Sequence, residues 1–285
     1  MDITAIILTK NEELNIENCI LSILGFVKRI VIVDSFSDDK TIEIARKYEV
    51  DIYQNKFINY ATQFNWGLDN AKIDSEWVLR IDADERFTIE LQNEIQEIIT
   101  KNKNSNINGI VLNSSLFFLN RKLKYGASNK RKLMIFKYGI GRIENRRMDE
   151  HTILSSGISV VAKNKYLHYD FKNIDIFIRK LNWYATREMQ DYIEYKSGVK
   201  VTDLSDKDIQ KKRKRKFNIY YRFPLFKRSF LLFVYFYIFK LGFLDGKEGY
   251  IYNYLYTRFY RLLVDIKIFE QVKYNTDFEM TGDLT

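Results

Sequence analysis

The sequence predicts an α/β fold with a mixed, mainly parallel β-sheet flanked by helices. Two observations predict it. Over residues 1–100, short apolar runs rich in β-branched residues alternate with segments whose apolar residues recur at helical spacing. Polar and acidic residues follow these runs directly, where the predicted strands end. Because a strand–helix–strand order gives parallel neighbours, we expect these polar residues at one sheet edge, where open α/β sheets bind ligands.

The individual elements follow from the same alternation. The predicted strands of the first part are residues 3–8, 29–33, 50–54 and 77–81. The predicted helices are residues 14–24, 38–48, 60–70 and 89–99. After a polar loop, the predicted elements are strands at residues 109–119, 132–136 and 160–168 and a long helix at residues 174–195.

Basic charge is concentrated in one later segment. Residues 207–240 contain eleven Lys or Arg and a single acid, a local charge of +10 in a chain whose net charge is +9. Aromatic and basic residues interleave there from Phe217 onward. We therefore predict a sheet-bearing domain over residues 1–200 and a basic, aromatic, amphipathic helical region over residues 201–285.

The compartment is predicted from the cysteine content and the apolar runs. The single cysteine, Cys19, rules out an intramolecular disulfide and lies at an apolar helical position, so we predict a buried thiol in a reducing compartment. The first apolar run is too short for a signal peptide. No run reaches the roughly 18 apolar residues of a membrane-spanning helix. These features favour a cytoplasmic location.

The sharpest motif is a predicted strand that runs into Asp82-Ala83-Asp84-Glu85. A turn at this point lets one carboxylate face a ribose and the other a divalent cation, and carboxylate oxygens suit Mg²⁺ or Mn²⁺. A solvated acidic turn is the alternative interpretation. Asp34 and Asn11 by themselves also fit helix caps or turns. Their order along the chain, each after a predicted strand, favours one common site.

Together these motifs resemble family 2 glycosyltransferases of the GT-A fold, and most closely the branch of lipopolysaccharide core β-1,4-glucosyltransferases and their capsule and O-antigen relatives. The similarity covers roughly residues 3–270. The first matching segments are Leu8-Thr9-Lys10-Asn11-Glu12-Glu13, Val33-Asp34-Ser35-x-Ser37-x-Asp39-x-Thr41, Gln63-x-Asn65-x-x-Leu68 and Asp82-Ala83-Asp84-Glu85. The later ones are Lys132-Leu133-Met134-Ile135-Phe136, Gly141-Arg142, Glu150, His168 and a tail motif, Leu241-Gly242-Phe243-Leu244-Asp245-Gly246.

The resemblance implies an inverting, metal-dependent transfer of glucose or another hexose from a UDP-sugar. The implied acceptor is a lipid-linked or lipopolysaccharide-core saccharide, in the synthesis of lipopolysaccharide, capsule or a related surface glycan. The residues implied to bind the nucleotide are Thr9, Asn11, Glu12, Asp34 (facing the uracil), Asn65 and Asp82. Asp84 and His168 are implied to bind Mn²⁺ or Mg²⁺, although a lone histidine after a strand is also often structural.

Other assignments rest partly on residue type. Arg131 is assigned to the phosphates because arginine binds phosphate oxygens readily, and a solvated basic pair with Lys132 is equally compatible. Inverting transfer requires a carboxylate that deprotonates the acceptor hydroxyl. Glu150 is the predicted base and Asp149 the second choice, with a salt-bridged turn as the alternative. The sequence departs from the family pattern at Phe64, where relatives often carry a basic residue. It departs again in Met148-Asp149-Glu150, where close relatives tend to have a histidine before the glutamate.

The basic, aromatic region favours an anionic membrane surface, because lysines and arginines bind its lipids while aromatic side chains enter the headgroup boundary. A homodimer interface is the second interpretation, and nucleic acid the least favoured. The expected location is peripheral, on the inner face of the cytoplasmic membrane.

Three other functions compete with glycosyl transfer. A sugar-nucleotide pyrophosphorylase would carry a Gly-rich loop where this chain has Thr9-Lys10-Asn11. A phosphatase with the motif Asp-x-Asp-Gly-Thr would carry Gly-Thr where this chain has Glu85-Arg86. The third is a non-catalytic membrane-bound scaffold.

Overall fold

A nine-stranded mixed sheet forms the centre of the protein in the computed structural model, which describes residues 1–146, 150–198 and 207–274. The strands are β1 (Ile3–Thr9), β2 (Arg29–Asp34), β3 (Asp51–Gln54), β4 (Trp77–Asp82), β5 (Glu85–Arg86), β6 (Ile107–Phe118), β7 (Arg121–Lys122), β8 (Arg131–Lys137), β9 (Gly141–Ile143), β10 (Thr152–Leu154) and β11 (Ile158–His168). The order in the sheet is β3-β2-β1-β4-β8-β6-β11-β5, with β7 beside β6, and β9 pairs with β10 separately. This arrangement confirms the predicted fold class.

Helices flank the sheet and form the C-terminal part. The α-helices are α1 (Ile16–Ile23), α2 (Thr41–Ala45), α3 (Tyr60–Asn70), α4 (Ile89–Lys101), α5 (Ile174–Lys196), α6 (Lys207–Asn218), α7 (Lys227–Val234), α8 (Gly246–Asn253) and α9 (Tyr260–Tyr274). Short 3₁₀ or π-helical segments stand between α6 and α9, at Tyr220–Arg222, Tyr235–Phe239, Gly242–Asp245 and Tyr254–Phe259.

The central strand β1 is buried on both faces, which explains its continuous apolar sequence. Side chains alternate along a strand, so Ala5 and Ile7 join the core beneath α1 and α4, whereas Ile6 joins the core beneath α3. Cys19 of α1 is fully buried in the first of these cores, and burial raises the pKa of its thiol. The prediction of a buried cysteine is therefore confirmed.

Strand directions bring the functional edge together. β1 pairs in parallel with β2 and β4, so their carboxyl ends share one edge. β8 runs antiparallel between β4 and β6, which puts its first residues beside the last residues of β4. β11 is parallel to β6, and its last residue, His168, lies opposite Glu85 of β5. The ends of β4 and β11 and the start of β8 thus meet at one place.

The C-terminal helices share a core with the end of the sheet. Phe118 of β6 and Leu181 of α5 pack with Tyr252, Tyr260 and Val264 in one buried cluster. The predicted boundary at residue 200 lies outside the described residues. Apolar packing thus joins the sequence on the two sides of that boundary.

The tail motif fastens this helical part to the loop that follows β7. The buried carboxylate of Asp245 accepts hydrogen bonds from the backbone N–H groups of Lys124 (2.9 Å) and Tyr125 (2.8 Å). Gly126 has a φ of +65°, and a Cβ there would lie 2.4 Å from Oδ1 of Asn253. A left-handed glycine is therefore needed for the close contact.

Among the described residues, no single helix has the length and apolar composition of a membrane span. One pair, Lys227–Phe239 and Gly242–Tyr274, meets that criterion when taken together, and its two parts are bent by 70°.

Candidate active site

Thr9 and Asp34 end neighbouring parallel strands, and the structure brings them together as opposite residues of the ladder. The Thr9 hydroxyl donates to Oδ1 of Asp34 (2.9 Å). The backbone N–H of Ser37 donates to Oδ2 (2.9 Å) and its hydroxyl to Oδ1 (2.5 Å). Asp34 is fully buried, so in this arrangement its carboxylate fixes the loop after β2.

Asn11 connects the loop after β1 to the loop after β2. It has a left-handed φ of 55°, which asparagine tolerates better than most residues. Its side-chain oxygen accepts from the N–H of Asp38 (3.0 Å), and its own N–H donates to the Ser37 hydroxyl (2.9 Å). The first helix begins at Ile16 with Asn15 before it, so Asn11 is not the residue that caps α1.

Asn65 makes both of its amide hydrogen bonds with the backbone of Ile143 in β9, at 2.9 and 3.0 Å. It therefore attaches α3 to the small β9–β10 sheet. Phe64, the departure from the family pattern, is fully buried and packs edge-on against Phe136 with a centroid distance of 6.3 Å. That position contributes to the core.

A single lysine bridges two carboxylates of the acidic turn. Nζ of Lys132 lies 2.6 Å from Oδ2 of Asp82 and 2.6 Å from Oε1 of Glu85. The Tyr60 hydroxyl donates to the other oxygen of Asp82 (2.6 Å). Burial opposes ionisation of Asp82, but Lys132 and Arg80 hold its pKa below the usual range. Burial raises the pKa of Glu85.

Asp84 and His168 form the part of the site best suited to a divalent cation. Oδ2 of Asp84 lies 3.5 Å from Nε2 of His168. Oδ1 of Asp84 and Nδ1 of His168 are buried and have no hydrogen-bond partner in the part of the chain that the structure describes. Buried polar atoms are normally paired, so Oδ1 of Asp84 is available to a cation that Nε2 of His168, the nitrogen facing Asp84, would also bind. Oxygen and imidazole ligands fit Mn²⁺, and oxygen ligands also fit Mg²⁺.

Asp170 completes this group, because one ligand atom from each of Asp84, His168 and Asp170 lies within 4.8 Å of the others. Two lysines already hold its carboxylate. Lys130 pairs with Oδ2 at 3.0 Å, and Lys180 of α5 donates to Oδ1. Burial alone would raise the pKa of Asp170, but the two ammonium groups hold it well below the usual range.

Glu12 is held by Lys172, whose Nζ lies 2.9 Å from its Oε1 and also donates to the backbone oxygen of Asn11 (2.6 Å). Burial and the nearby carboxylate of Asp84 raise the pKa of Glu12. The segment after β11 thus packs onto the loop after β1, and Glu12 lies close to the candidate cation site.

Glu150 forms a nearly buried ion pair with Arg187 of α5, and the guanidinium of Arg187 also lies over the Trp183 ring (4.4 Å). Arg187 stands two helical turns from Lys180, which is about 10 Å of helix rise. One helix, α5, therefore contributes a cation to the predicted base and another to the acidic cluster. Asp149 lies outside the described residues. Glu150 does form a salt bridge, and Arg187 of α5 is one partner in it.

Arg131 is the first residue of β8, between Lys130 and Lys132, which both reach the acidic cluster. Sequence reasoning did not assign Lys130, Lys172, Asp170 or Lys180 to the site. Only Asp170 had a usable signal, since it is a carboxylate just after a predicted strand.

The comparisons with known proteins find a family model that matches the chain and relatives named as glycosyltransferases. The family described as Glycosyl transferase family 2 matches residues 4–164. An uncharacterized glycosyltransferase of Rickettsia prowazekii is 25% identical over 218 residues, 71% of this chain and 71% of that protein. One from Rickettsia bellii is 27% identical over 219 residues, 71% of this chain and 70% of that protein.

Two solved structures resemble the fold. Residues 1–349 of S. aureus TarS in complex with UDP-GlcNAc have 13% identity and a TM-score of 0.47, covering 98% of this chain and 93% of that one. Mycobacterium tuberculosis glucosyl-3-phosphoglycerate synthase with Mn²⁺, UDP and glucosyl-3-phosphoglycerate has 19% identity and a TM-score of 0.33, covering 40% and 44%.

Proposed function

Since this chain belongs to glycosyltransferase family 2, and is therefore a glycosyltransferase, we propose that it transfers a hexose from a UDP-sugar, with inversion, to a lipid-linked saccharide. The observation that supports a donor site is the Asp84–His168 pair, with one buried, unpartnered atom on each residue. A divalent cation bound to Nε2 of His168 and to the Asp84 carboxylate would supply a partner for Oδ1 of Asp84, and the cation would in turn bind a nucleoside diphosphate. Glucose is the hexose we would test first.

In this proposal Asp84 and His168 hold Mn²⁺ or Mg²⁺. A bound cation of this kind neutralises negative charge on the departing diphosphate. The protein's own cations assist, since Lys132 lies among the same carboxylates. Arg131 remains a proposed phosphate contact, because it stands beside Lys132 at the start of β8 and arginine binds phosphate oxygens readily.

The loops after β1 and β2 form the proposed nucleotide site. Asp34 and Thr9 hold each other at the strand ends, and Asn11 joins the two loops. We propose that the uracil lies against this surface, with Asp82 and Glu12 on the ribose and diphosphate side. Asn65 would contribute to this site from α3, which it attaches to β9.

Glu150 is the proposed base for the acceptor hydroxyl, with Asp149 as second choice. A base must be held in a fixed position relative to the hydroxyl that it deprotonates. The Arg187 ion pair holds Glu150 in this way, and α5 connects that pair to the acidic cluster. General-base assistance of this kind is worth about 10²–10⁴ in rate.

We propose that the acceptor is presented by a membrane. An exposed aromatic face covers α7 and the turn after it, with Phe239 72% exposed. The residues of this aromatic face are Phe230, Leu231, Tyr235, Ile238, Phe239, Phe243 and Leu244. Exposed Lys227, Lys240 and Lys247 flank it, which suits anionic lipid headgroups.

The aromatic face lies near the functional edge of the sheet. Its turn is fastened through Asp245 to the loop after β7, and the end of β6, just before that loop, pairs with His168 of β11. A saccharide on a membrane lipid bound at the aromatic face would therefore lie close to the donor site. This supports a peripheral location on the inner face of the cytoplasmic membrane and a role in the synthesis of lipopolysaccharide, capsule or a related surface glycan.

The donor site is tested by calorimetric titration of the protein with UDP, in Mn²⁺ and then with excess chelator. We expect binding that requires the metal and is lost in Asp84→Asn. Asp74→Asn, at an exposed carboxylate paired with Lys28, is the matched control and should bind as the original protein does. Absence of UDP binding with metal would reject the UDP-sugar proposal, and binding that survives chelation would reject the cation site.

A further inference from the structure

The carboxylates of the site differ in how many lysines pair with them. Lys132 pairs with both Asp82 and Glu85. Asp170 is paired with Lys130 on one oxygen and with Lys180 on the other. Within the described residues, Asp84 is the carboxylate of this group with no lysine in an ion pair, and its partner is His168 at 3.5 Å.

This difference matters because Asp170 is otherwise placed to bind the same cation as Asp84 and His168. The three residues each offer one atom within 4.8 Å of the others. The affinity of a site for a divalent cation rises with the number of charged ligands. An ammonium group on a carboxylate oxygen competes with a metal ion for that oxygen. Two such groups leave Asp170 no oxygen without an ammonium partner.

We propose that Lys130 and Lys180 withhold Asp170 from the divalent cation. The cation affinity of the nucleotide-free enzyme stays low as a result, and the diphosphate supplies the ligands that Asp170 does not. This inference rests on the proposed donor site, which it deepens. Lys130 and Lys180 act through Asp170 and are positioning residues.

The charges support a second part of the same arrangement. Lys130 and Lys180 carry two positive charges, and Asp170 and Asp84 carry two negative ones, so these four charges balance before a cation binds. The side chain of Asp170 is 8% exposed, so water screens these charges only partly. A divalent cation alone would leave two positive charges in excess, and a diphosphate that arrives with the cation offsets them. The lysines thus disfavour a free cation and favour a cation that arrives with diphosphate.

The test is a Mn²⁺ titration of the nucleotide-free protein, with free Mn²⁺ measured by electron paramagnetic resonance. Lys180→Met removes one ammonium and keeps a side chain of similar length, while Lys130 still pairs with Asp170. We expect Mn²⁺ to bind about tenfold tighter, the size of effect that one added charged ligand can give. Lys180→Arg keeps the ion pair and should bind as the original protein does.

Two further variants make the result specific. Adding Asp170→Asn to Lys180→Met should remove the gain, because the freed ligand is then absent. If thermal melting shows that Lys180→Met is not folded, Lys130→Met provides an independent test of the same gain in Mn²⁺ affinity. Affinity that is unchanged or weaker in folded Lys180→Met and Lys130→Met would overturn the proposal.

Titrating Mn²⁺ in the presence of UDP separates this inference from the proposed function. If UDP tightens Mn²⁺ binding in the original protein while the lysine variants show no gain, the donor site stands and the role of the lysines is rejected. If UDP has no effect on Mn²⁺ binding, the donor proposal itself fails. A gain in the lysine variants together with a UDP effect supports both.

Discussion

Glu150 is paired with Arg187, and a glutamine at this position can still accept a hydrogen bond from that guanidinium, so its replacement tests chemistry while the contact with α5 is kept. Glu150→Gln keeps the size of the side chain and removes its ability to accept a proton. We expect UDP release from UDP-glucose to fall by about 10²–10⁴, the usual contribution of a general base. Metal-dependent UDP affinity should be unchanged, because the retained side-chain oxygen keeps the contact with Arg187 and with it the position of α5.

A matched control exists at another carboxylate that pairs with arginine. Asp69 forms an exposed ion pair with Arg142 (2.6 Å), and Asp69→Asn should leave turnover of UDP-glucose unchanged. Turnover that is equal in Glu150→Gln and the original protein would exclude Glu150 as the base. Asp149 would then be the next residue to replace.

Individual site residues differ in how far the sequence could reveal them. Asp82 and Asp84 follow an apolar run, so strand prediction already brought them to one sheet edge, whereas the role of His168 was implied by the family resemblance. Lys180 gives no such signal, because it is one of several charged residues on a long helix. Its contact with Asp170 depends on how α5 packs across the end of the sheet, and that packing is a tertiary property.

At the scale of elements, the contact of the Asp245 carboxylate with the loop after β7 should contribute measurably to the free energy of unfolding. Asp245→Ala would leave the N–H groups of Lys124 and Tyr125 without their acceptor. An unsatisfied buried donor costs about 1–3 kcal/mol, so we expect the free energy of unfolding in urea to fall by at least about 2 kcal/mol. Asp245→Asn keeps one acceptor oxygen and should cost less. Equal stability of all three proteins would show that this contact does not stabilise the fold.

Element prediction was accurate for long, periodic segments and failed for short ones. The strands that were not predicted, β5, β7, β9 and β10, are two or three residues long. Such strands exist only because a partner lies beside them, as β11 lies beside β5 at His168. The antiparallel insertion of β8 between β4 and β6 also has no signature in hydrophobic spacing, since both directions have the same period.

For the molecule as a whole, membrane attachment is the property to test. We expect the protein to float with vesicles that contain phosphatidylglycerol, and less so at high salt, because salt screens the contribution of the lysines. A Phe239→Glu/Leu244→Glu double variant places charge on the aromatic face and should abolish flotation. Ile58→Glu, at an apolar residue that is 70% exposed in a different region, is the control.

The same variants separate a membrane surface from a dimer interface. If the original protein does not bind vesicles but elutes as a dimer, and the double variant elutes as a monomer, the aromatic face joins two copies. That outcome would reject the membrane proposal and leave the donor chemistry unaffected.

The buried cluster that joins β6, α5 and α9 has a consequence for protein engineering. Phe118 and Leu181 belong to the sheet-bearing part, yet Tyr260 and Val264 are among the side chains that cover them. The C-terminal helices therefore cannot be exchanged between relatives on their own to change the acceptor of the enzyme. A chimaera has to exchange the end of β6, the loop after β7, α5 and these helices as one block.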